Sequence, residues 1–248
     1  MITAADIRNT FFDRGVGADD TILVHSSFSS LGPVEGGPTG FINAMSDLTR
    51  NEVYPTFTYG FWSGEPWEYH TPSDTGILGE TARQHPEAVR TLHPFYSMAV
   101  LGPDADRIAI LKDHTAFGPG SIFRTLHDMN AWLCVIGLRY DQSFTFFHYV
   151  EQNEGGVPYR HTKEFTGMVD GQRETWTMAV RNDGVRTWVE PMGELLHNVG
   201  AMTRFQLGET EVKLGRAKDV YRAVATYMKM VPELLYYPAF PNPSQEKP

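Results

Sequence analysis

The chain has 248 residues, of which 41% are hydrophobic and 21% are charged, and this composition suits an ordinary globular domain. Its formal net charge of −9 and the lack of any Lys/Arg run disfavour a nucleic-acid partner. No apolar run approaches the roughly 20 residues that a membrane helix needs, and the first residues lack the basic and apolar regions of a signal peptide. We therefore expect a cytoplasmic protein without a membrane partner, in which the single cysteine, Cys134, is a core residue.

Short apolar strands alternate with amphipathic helices along the chain, and this alternation predicts an α/β fold. Thr3 and Asp6 form a capping box for the first helix, Pro38 opens another, and Asp170-Gly171 marks a hairpin turn. The predicted helices are 4–14, 38–49, 77–85, 103–112, 121–129, 143–153, 191–199 and 217–230. The predicted strands are 21–25, 52–57, 96–101, 131–137 and a pair near 203–214. We expect a mixed β-sheet flanked by helices on both faces with an inserted hairpin, in a single domain, 1–248, with a loose tail from about 240.

The first predicted strand runs into the loop "SSFSSLGPVEGG", which carries four serines and three glycines. Its hydroxyls and free backbone N–H groups, with the helix N-terminus that follows, can hold an anionic or amide-bearing ligand. The loop has neither the Gly-Lys-Ser/Thr of a P-loop nor a G-x-G-x-x-G pattern. Serines at turns usually cap and turn the chain, so the residues alone leave both interpretations open.

The stretch "DQSFTFFHYVEQNEGG" places a histidine and an acid on one predicted helix. His148 and Glu151 lie one turn apart, and Gln152 shares that side. A neutral histidine that is oriented by an acid makes a general base, because its ordinary pKa of about 6.5 is close to neutral pH. The alternative is a histidine packed between Phe144 and Phe147 without a catalytic part. Two ligands are too few for a metal site, and we expect none.

Other candidates for a cleft are His93, which precedes a strand, and His114, which lies in a glycine-rich loop; each also fits a structural role. No G-x-S-x-G nucleophile elbow is present. A serine-dependent amide hydrolase that uses Ser27 and His148 therefore stays open only as an alternative.

Four stretches, in order and with sensible spacing, resemble the aminoglycoside 3-N-acetyltransferase family, which differs in fold from the common GNAT acetyltransferases. They span roughly residues 20–160. They are "LVHSSFSSLGPVEGGP", "YPTFTYGFW", "HTPSDTGILGETARQHPEAVRTLHPFYSMAVLGPDAD" and "GSIFRTLHDMNAWLCVIGLRYDQSFTFFHYVEQ".

This resemblance implies acetyl-CoA as donor and direct transfer of acetyl to an amine. It implies that His148 is the general base, that Glu151 is the acid of its motif, and that Asp183 is a candidate to orient the histidine. It places the pantetheine arm of CoA on the first loop, at Ser26, Ser27, Ser29, Ser30, Leu31 and Gly32. It places Thr75, Gly76, Ser97 and Ser121 near the CoA channel.

The acceptor is predicted from the departures from the family pattern. The acidic residues after residue 155 are spread out, whereas a polycationic aminoglycoside favours a deep acidic pocket. We expect an amino sugar, specifically a nucleotide-linked amino-deoxysugar of surface-polysaccharide synthesis, stacked on Trp62, Trp67 and Tyr69 with His93 nearby. The alternatives are an aminoglycoside, as in antibiotic resistance, or a non-catalytic protein that binds CoA or a sugar. A homodimer is compatible with the sequence.

Overall fold

The computed structural model describes residues 1–110, 113–154, 159–231 and 236–237. Its helices are α1 (Ala4–Phe12), α2 (Gly37–Ser46), α3 (Ile77–Arg83), α4 (Ala105–Ala109), α5 (Ile122–Asp128), α6 (Tyr140–Ser143), α7 (Phe146–Asn153), α8 (Glu190–Asn198) and α9 (Ala217–Met230). Its strands are β1 (Thr21–Ser26), β2 (Asn51–Pro55), β3 (Val89–Arg90), β4 (Met98–Leu101), β5 (Trp132–Ile136), β6 (Arg160–Val169), β7 (Gln172–Arg181), β8 (Arg186–Thr187), β9 (Thr203–Leu207), β10 (Thr210–Arg216) and β11 (Tyr236–Tyr237).

Within this part of the chain the main sheet has seven strands in the order β3-β4-β2-β1-β5-β10-β9. Strand β1 pairs in parallel with β2 on one side and with β5 on the other. The outer neighbours pair antiparallel. The mixed sheet that the sequence predicts is therefore confirmed, with a parallel centre and antiparallel edges.

Two hydrophobic cores cover the two faces of this sheet, because successive side chains of a strand point to opposite faces. Leu23 and Leu133 belong to one core, and their neighbours Ile22 and Cys134 belong to the other. Helices α5, α7 and α9 pack over the first face, and α1, α2 and α3 pack over the second; the buried side chains that they contribute include Phe123, Phe147, Val220, Phe11, Phe41 and Leu78. Flanking helices on both faces follow from this division.

A second, two-stranded sheet is formed by the hairpin β6–β7. Its turn uses Asp170 at φ 46° and Gly171 at φ 75°, the left-handed pair that a tight hairpin turn requires. Phe165 pairs with Trp176 across the strands, and both are buried against the first core. The predicted hairpin is confirmed, and it packs over the sheet face that carries α7.

Several predicted boundaries differ from the structure. The predicted helix 143–153 begins later, as α7 at Phe146, because the backbone leaves helical geometry at Phe144 (φ −84°, ψ 67°), where the short helix α6 ends. The short strands β3, β8 and β11 were missed, since two-residue strands carry no periodicity. The end of the predicted helix 103–112 and the tail from about 240 lie outside the described residues. No helix of the described ranges is long and apolar enough to span a membrane.

Replacing Ile22 with alanine should lower the free energy of unfolding by about 2–5 kcal/mol, because the side chain is fully buried in a central strand and leaves a cavity. The matched control is Ile110→Ala. That side chain is 78% exposed, so the change should stay within about 0.5 kcal/mol. Urea unfolding measures both values, and equal losses would contradict the assignment of the core.

Candidate active site

The parallel strands β2, β1 and β5 end at one edge of the sheet. From β1 the chain continues to β2 on one side of β1, while β5 lies on the other side. A crevice therefore forms beyond the carboxyl ends of these three strands. His25, Phe57 and Leu138, at or just beyond the ends of these strands, line a cavity of about 220 Å³ there. We call it the strand-end cavity.

A larger cavity of about 680 Å³ lies beside it, and we call it the hairpin cavity. Helices α6 and α7 supply part of its wall, the hairpin supplies another part, and the loop after β7 closes it. The two cavities share the lining residues Phe57, Tyr59, Gln142, Ser143 and Thr145. This shared wall makes them neighbouring compartments of one site.

His148 lines the hairpin cavity from α7. Its helix neighbours Phe147 and Tyr149 are buried in the core, so they fix the helix and leave the histidine, with 22% of its side chain exposed, toward the cavity. The ring atom Nδ1 lies 2.7 Å from Oε2 of Glu151, one turn further along. Glu151 is 1% exposed, so its carboxylate is held inside the protein beneath the histidine.

Arg160, the first residue of β6, completes the cluster. Its Nε lies 3.2 Å from Oε2 of Glu151, and its Nη2 lies 2.7 Å from Nδ1 of His148. Its Nη1 donates to the carbonyl of Ala179 on the facing strand at 2.6 Å. The hairpin therefore brings a permanent positive charge to the buried carboxylate.

The electrostatics favour a neutral histidine. Burial lowers the pKa of His148 below its ordinary 6.5, the positive charge of Arg160 lowers it further, and Glu151 opposes both effects. Burial also lowers the pKa of His25 to about 3 and raises the pKa of Tyr96, on the cavity wall, to about 12. At pH 7 the site therefore presents neutral imidazoles and a protonated phenol. Nδ1 of His148 is engaged, so Nε2 is the ring nitrogen left to meet a ligand.

The structure places the residues predicted for CoA in different surroundings. Ser26 and Thr75 line the strand-end cavity. Ser27 and Ser30 bond to each other, with the Ser30 hydroxyl donating to the Ser27 carbonyl at 2.7 Å. The remaining first-loop residues do not line either cavity: Leu31 is core, Ser29 is exposed, and Gly32 ends the short 3-10 turn. Gly76 precedes α3 beside Thr75 and is likewise outside the lining.

Ser97 and Ser121, which the resemblance places near the CoA channel, have structural roles instead. Ser97 is fully buried and donates to the carbonyl of Thr56 at 2.7 Å, and it also accepts from Arg90. Ser121 is the N-cap of α5 and accepts from the backbone N–H of Arg124. The hydroxyls of both serines therefore form hydrogen bonds within the protein itself.

Among the residues predicted to bind the acceptor, Trp62 lines the hairpin cavity. Trp67 is 1% exposed and belongs to the core, so it does not offer a substrate the ring face that the sequence predicts. Tyr69 uses its hydroxyl to accept from the Arg90 N–H at 2.8 Å. His93 is buried and accepts two backbone N–H bonds at Nδ1, which holds a turn together rather than lining the cleft.

Asp183 lines the hairpin cavity from the loop after β7. The sequence suggested it as the acid that orients the histidine, but Glu151 holds Nδ1 instead. Its side chain is exposed and makes no ion pair with any described residue. Asp183 is therefore a rim carboxylate available to a ligand.

Sequence reasoning missed Arg160, Tyr96 and His25. His25 and Tyr96 lie inside two of the quoted stretches, "LVHSS" and "HPFYSMAV", but each could be a core residue, and the sequence shows no cavity. Arg160 follows its partner by nine positions and lies on a strand, where helical spacing gives no signal. The structure adds no metal centre: within the described ranges, no three His, Cys, Asp or Glu side chains are grouped to hold an ion.

The fold and the site together define a mixed α/β domain with a histidine–carboxylate pair beside two joined cavities. The model of one family, the aminoglycoside 3-N-acetyltransferases, matches residues 23–229, and the chain belongs to that family. Aminoglycoside N(3)-acetyltransferase IV of Salmonella sp is 29% identical over an alignment of 180 positions, which covers 68% of this chain and 65% of that protein. The aminoglycoside N(3')-acetyltransferase-like protein YokD of Bacillus subtilis (strain 168) is 30% identical over an alignment of 169 positions, which covers 56% of this chain and 60% of YokD. The chain thus spans less than two thirds of either relative.

Solved structures show the same fold. The apoenzyme of aminoglycoside acetyltransferase AAC(3)-IVa matches with a TM-score of 0.80 at 23% identity, covering 94% of this chain and 91% of that one. AAC-IIIb in its binary complex with CoASH matches with a TM-score of 0.79 at 18% identity, covering 92% and 96%. A mutant of AAC(3)-IVa in complex with apramycin matches with a TM-score of 0.77 at 24% identity, covering 94% of each chain.

The lowered pKa of His148 can be measured directly. In a nuclear magnetic resonance titration of histidine-labelled protein, the ring signals of His148 should titrate with a midpoint below 6.5, so that the ring is neutral at pH 7. His148→Gln removes the signal and assigns it. A midpoint above 6.5 would show that the Glu151 carboxylate outweighs burial and Arg160.

Proposed function

We propose that this protein is an acetyl-CoA-dependent N-acetyltransferase that acetylates a primary amine of an aminoglycoside. One observation carries the proposal. His148, neutral at pH 7, faces the hairpin cavity with Nδ1 held by a buried carboxylate, and that cavity joins a second compartment at the strand ends. Two adjoining compartments around one base suit a reaction between two bound substrates.

The chemistry assigned to His148 is proton transfer. The neutral amine of the acceptor attacks the carbonyl carbon of the acetyl thioester, and the N–C bond forms while the C–S bond breaks. Nε2 of His148 accepts the proton that the nitrogen loses and can pass it to the departing thiolate. Glu151 keeps the ring in the tautomer with its lone pair on Nε2 and stabilises the imidazolium that forms between these steps.

The strand-end cavity is the place that we assign to the acetylated end of CoA. Ser26 and Thr75 line it, and the Thr75 hydroxyl, which donates to the Pro55 carbonyl at 2.6 Å, keeps a lone pair to accept a bond. Ser143 and Thr145 lie on the wall shared with the hairpin cavity. These groups offer hydrogen bonds to the amides of a pantetheine arm. The complex of AAC-IIIb with CoASH, an enzyme of the same fold, supports a CoA thioester as the donor.

The hairpin cavity is assigned to the acceptor. The relatives reported above are named for aminoglycosides, and a structural neighbour holds apramycin. This favours an aminoglycoside over the nucleotide-linked amino-deoxysugar expected from the aromatic loops. Tyr59 and Trp62 offer ring faces to a sugar, and Asp183 offers a carboxylate to an ammonium group.

Replacing His148 with glutamine should lower kcat by about 10²–10⁴, because the attacking nitrogen loses its proton acceptor. Binding of acetyl-CoA should change little, since the ring lies in the other compartment. Thiol release with a panel of aminoglycosides measures turnover, and calorimetric titration measures acetyl-CoA binding.

The matched control is His85→Gln, which changes a histidine that lines neither cavity and should keep full turnover. Acetyl-CoA binding without thiol release for any amine would favour a binding protein. Covalent labelling of Ser27 by a serine-directed phosphonate would favour the hydrolase. Unchanged turnover in His148→Gln would remove the histidine from the mechanism.

Two charged residues that line the hairpin cavity can separate the two acceptor classes. Asp183 and Arg181 are exposed, lie two positions apart, and make no ion pair with described residues. For a polycationic aminoglycoside, Asp183→Asn should raise KM about two- to fivefold and Arg181→Gln should lower it, as expected for partly solvated charges. KM values at low and high salt measure both effects.

A nucleotide-linked acceptor carries a pyrophosphate, and it would reverse both signs. Arg181→Gln would then raise KM and Asp183→Asn would lower it. An effect that persists unchanged in high salt would point to a change of cavity shape instead of charge.

A further inference from the structure

Arg160 stands out because the charge of Glu151 needs a permanent partner. The carboxylate is 1% exposed, and an unpaired charge in such a place is strongly disfavoured. His148, which is charged only when protonated, and the permanently charged guanidinium of Arg160 both lie close to it, at 2.7 and 3.2 Å. If the histidine were the sole partner, it would be held in the charged form that cannot accept a proton.

Nδ1 of His148 has two possible hydrogen-bond partners. The carboxylate Oε2 of Glu151 and the guanidinium Nη2 of Arg160 both lie 2.7 Å from it. Nδ1 can donate to the carboxylate or accept from the guanidinium, but it cannot do both. Donation to Glu151 leaves the lone pair on Nε2, which suits a base, whereas acceptance from Arg160 puts the hydrogen on Nε2.

The ion pair between Arg160 and Glu151 decides between these states. A guanidinium 3.2 Å from Oε2 favours the ionised carboxylate, which can only accept a hydrogen bond. The bond from the Arg160 Nη1 to the Ala179 carbonyl, at 2.6 Å, fixes the guanidinium to the hairpin. The ionised carboxylate then draws the hydrogen of the imidazole to Nδ1.

We propose that Arg160 is a positioning residue that keeps Glu151 ionised and His148 neutral, with the lone pair on Nε2. This inference rests on the proposed function and names a residue that the sequence did not indicate. Arg160 also disfavours the imidazolium that forms after proton transfer, and so it promotes delivery of that proton to the departing thiolate. A guanidinium suits this task because it stays charged throughout.

The other groups around His148 act more weakly. Arg181 on β7 is exposed and adds a smaller repulsion. Tyr96 on the cavity wall keeps its proton, and the ring of Phe117 contacts the imidazole edge at 6.1 Å between centroids. The rim carboxylates Asp141 and Asp183 line the same cavity, but Asp141 is paired with Arg139 at 2.6 Å.

The test is the pH dependence of Arg160→Gln. Removing the positive charge should raise the pKa of His148, so the acidic limb of the kcat/KM profile should move to higher pH. We expect the variant to lose about tenfold more kcat/KM at pH 6 than at pH 8. Arg160→Lys keeps the charge, so its acidic limb should stay near that of the wild type while kcat falls several-fold, since one ammonium cannot hold all three contacts.

The matched control is Arg173→Gln, which changes an exposed arginine of the same hairpin and should leave the profile unchanged. A uniform loss at every pH in Arg160→Gln, without movement of the acidic limb, would reduce Arg160 to a structural residue and overturn the proposal. If Arg160→Gln does not fold, Glu151→Gln/Arg160→Gln removes both buried charges and is compared with Glu151→Gln alone. The His148 midpoint should again be higher without the arginine, and an unchanged midpoint would overturn the proposal.

The nuclear magnetic resonance midpoint of His148 separates this inference from the proposed function, because it needs no turnover. A midpoint that rises in Arg160→Gln, in a protein that acetylates no amine, would support the role of Arg160 and reject the transferase. Turnover with an unchanged midpoint and an unchanged acidic limb would keep the transferase and reject the role of Arg160.

Discussion

The carboxylate of Glu151 is the constraint on which the site depends. A buried charge is stable only with fixed partners, because removing its solvent costs several kcal/mol even after the protein relaxes. Here one partner comes from the same helix, and another is the first residue of β6. The pair therefore joins α7 to the hairpin and fixes the wall of the cavity as well as the orientation of His148.

The sheet explains why these elements meet. Strand β1 has parallel neighbours on both sides, so three strand ends open onto one crevice, and α6 and α7 follow directly after β5. Buried aromatic residues on α7 leave His148 as the residue of that helix that meets the cavity. A histidine held by a packed helix and a strand is better fixed than one on a free loop, and the proposed proton transfer requires this precision.

Much of the fold could be read from the sequence because its signals are local. Alternating strands and helices predict the sheet, Asp170-Gly171 predicts the hairpin, and the spacing of three positions places His148 above Glu151. The break at Phe144 could not be read, because Tyr140, Phe144 and Phe147 fit helical spacing equally well with or without it. Tertiary packing decides the break, including the bond between the Tyr140 hydroxyl and Nε2 of His197 at 2.9 Å.

The same limit applies to the binding residues. Trp62 and Trp67 lie in one loop with similar neighbours, yet Trp67 is buried in the core while Trp62 is 39% exposed and reaches the cavity. Composition cannot tell them apart, because the difference arises from the hairpin that packs over the loop and pairs Trp67 with Val169. Arg160 escapes sequence reasoning for a related reason, since its partner lies on a helix and no periodic pattern joins a helix to a strand.

The site has a buried cluster of charged and polar side chains and an exposed rim, and these two parts are built differently. The buried cluster consists of His148, Glu151 and Arg160, whose contacts are short and internal, so under the proposed mechanism a change in any of them alters proton transfer. The rim includes the exposed carboxylate of Asp183 after β7, which makes no ion pair with the described residues and can change without disturbing the core. In the proposed function, acceptor choice depends on this rim, the part of the site that folding constrains least, and family membership says more about the buried cluster than about the acceptor.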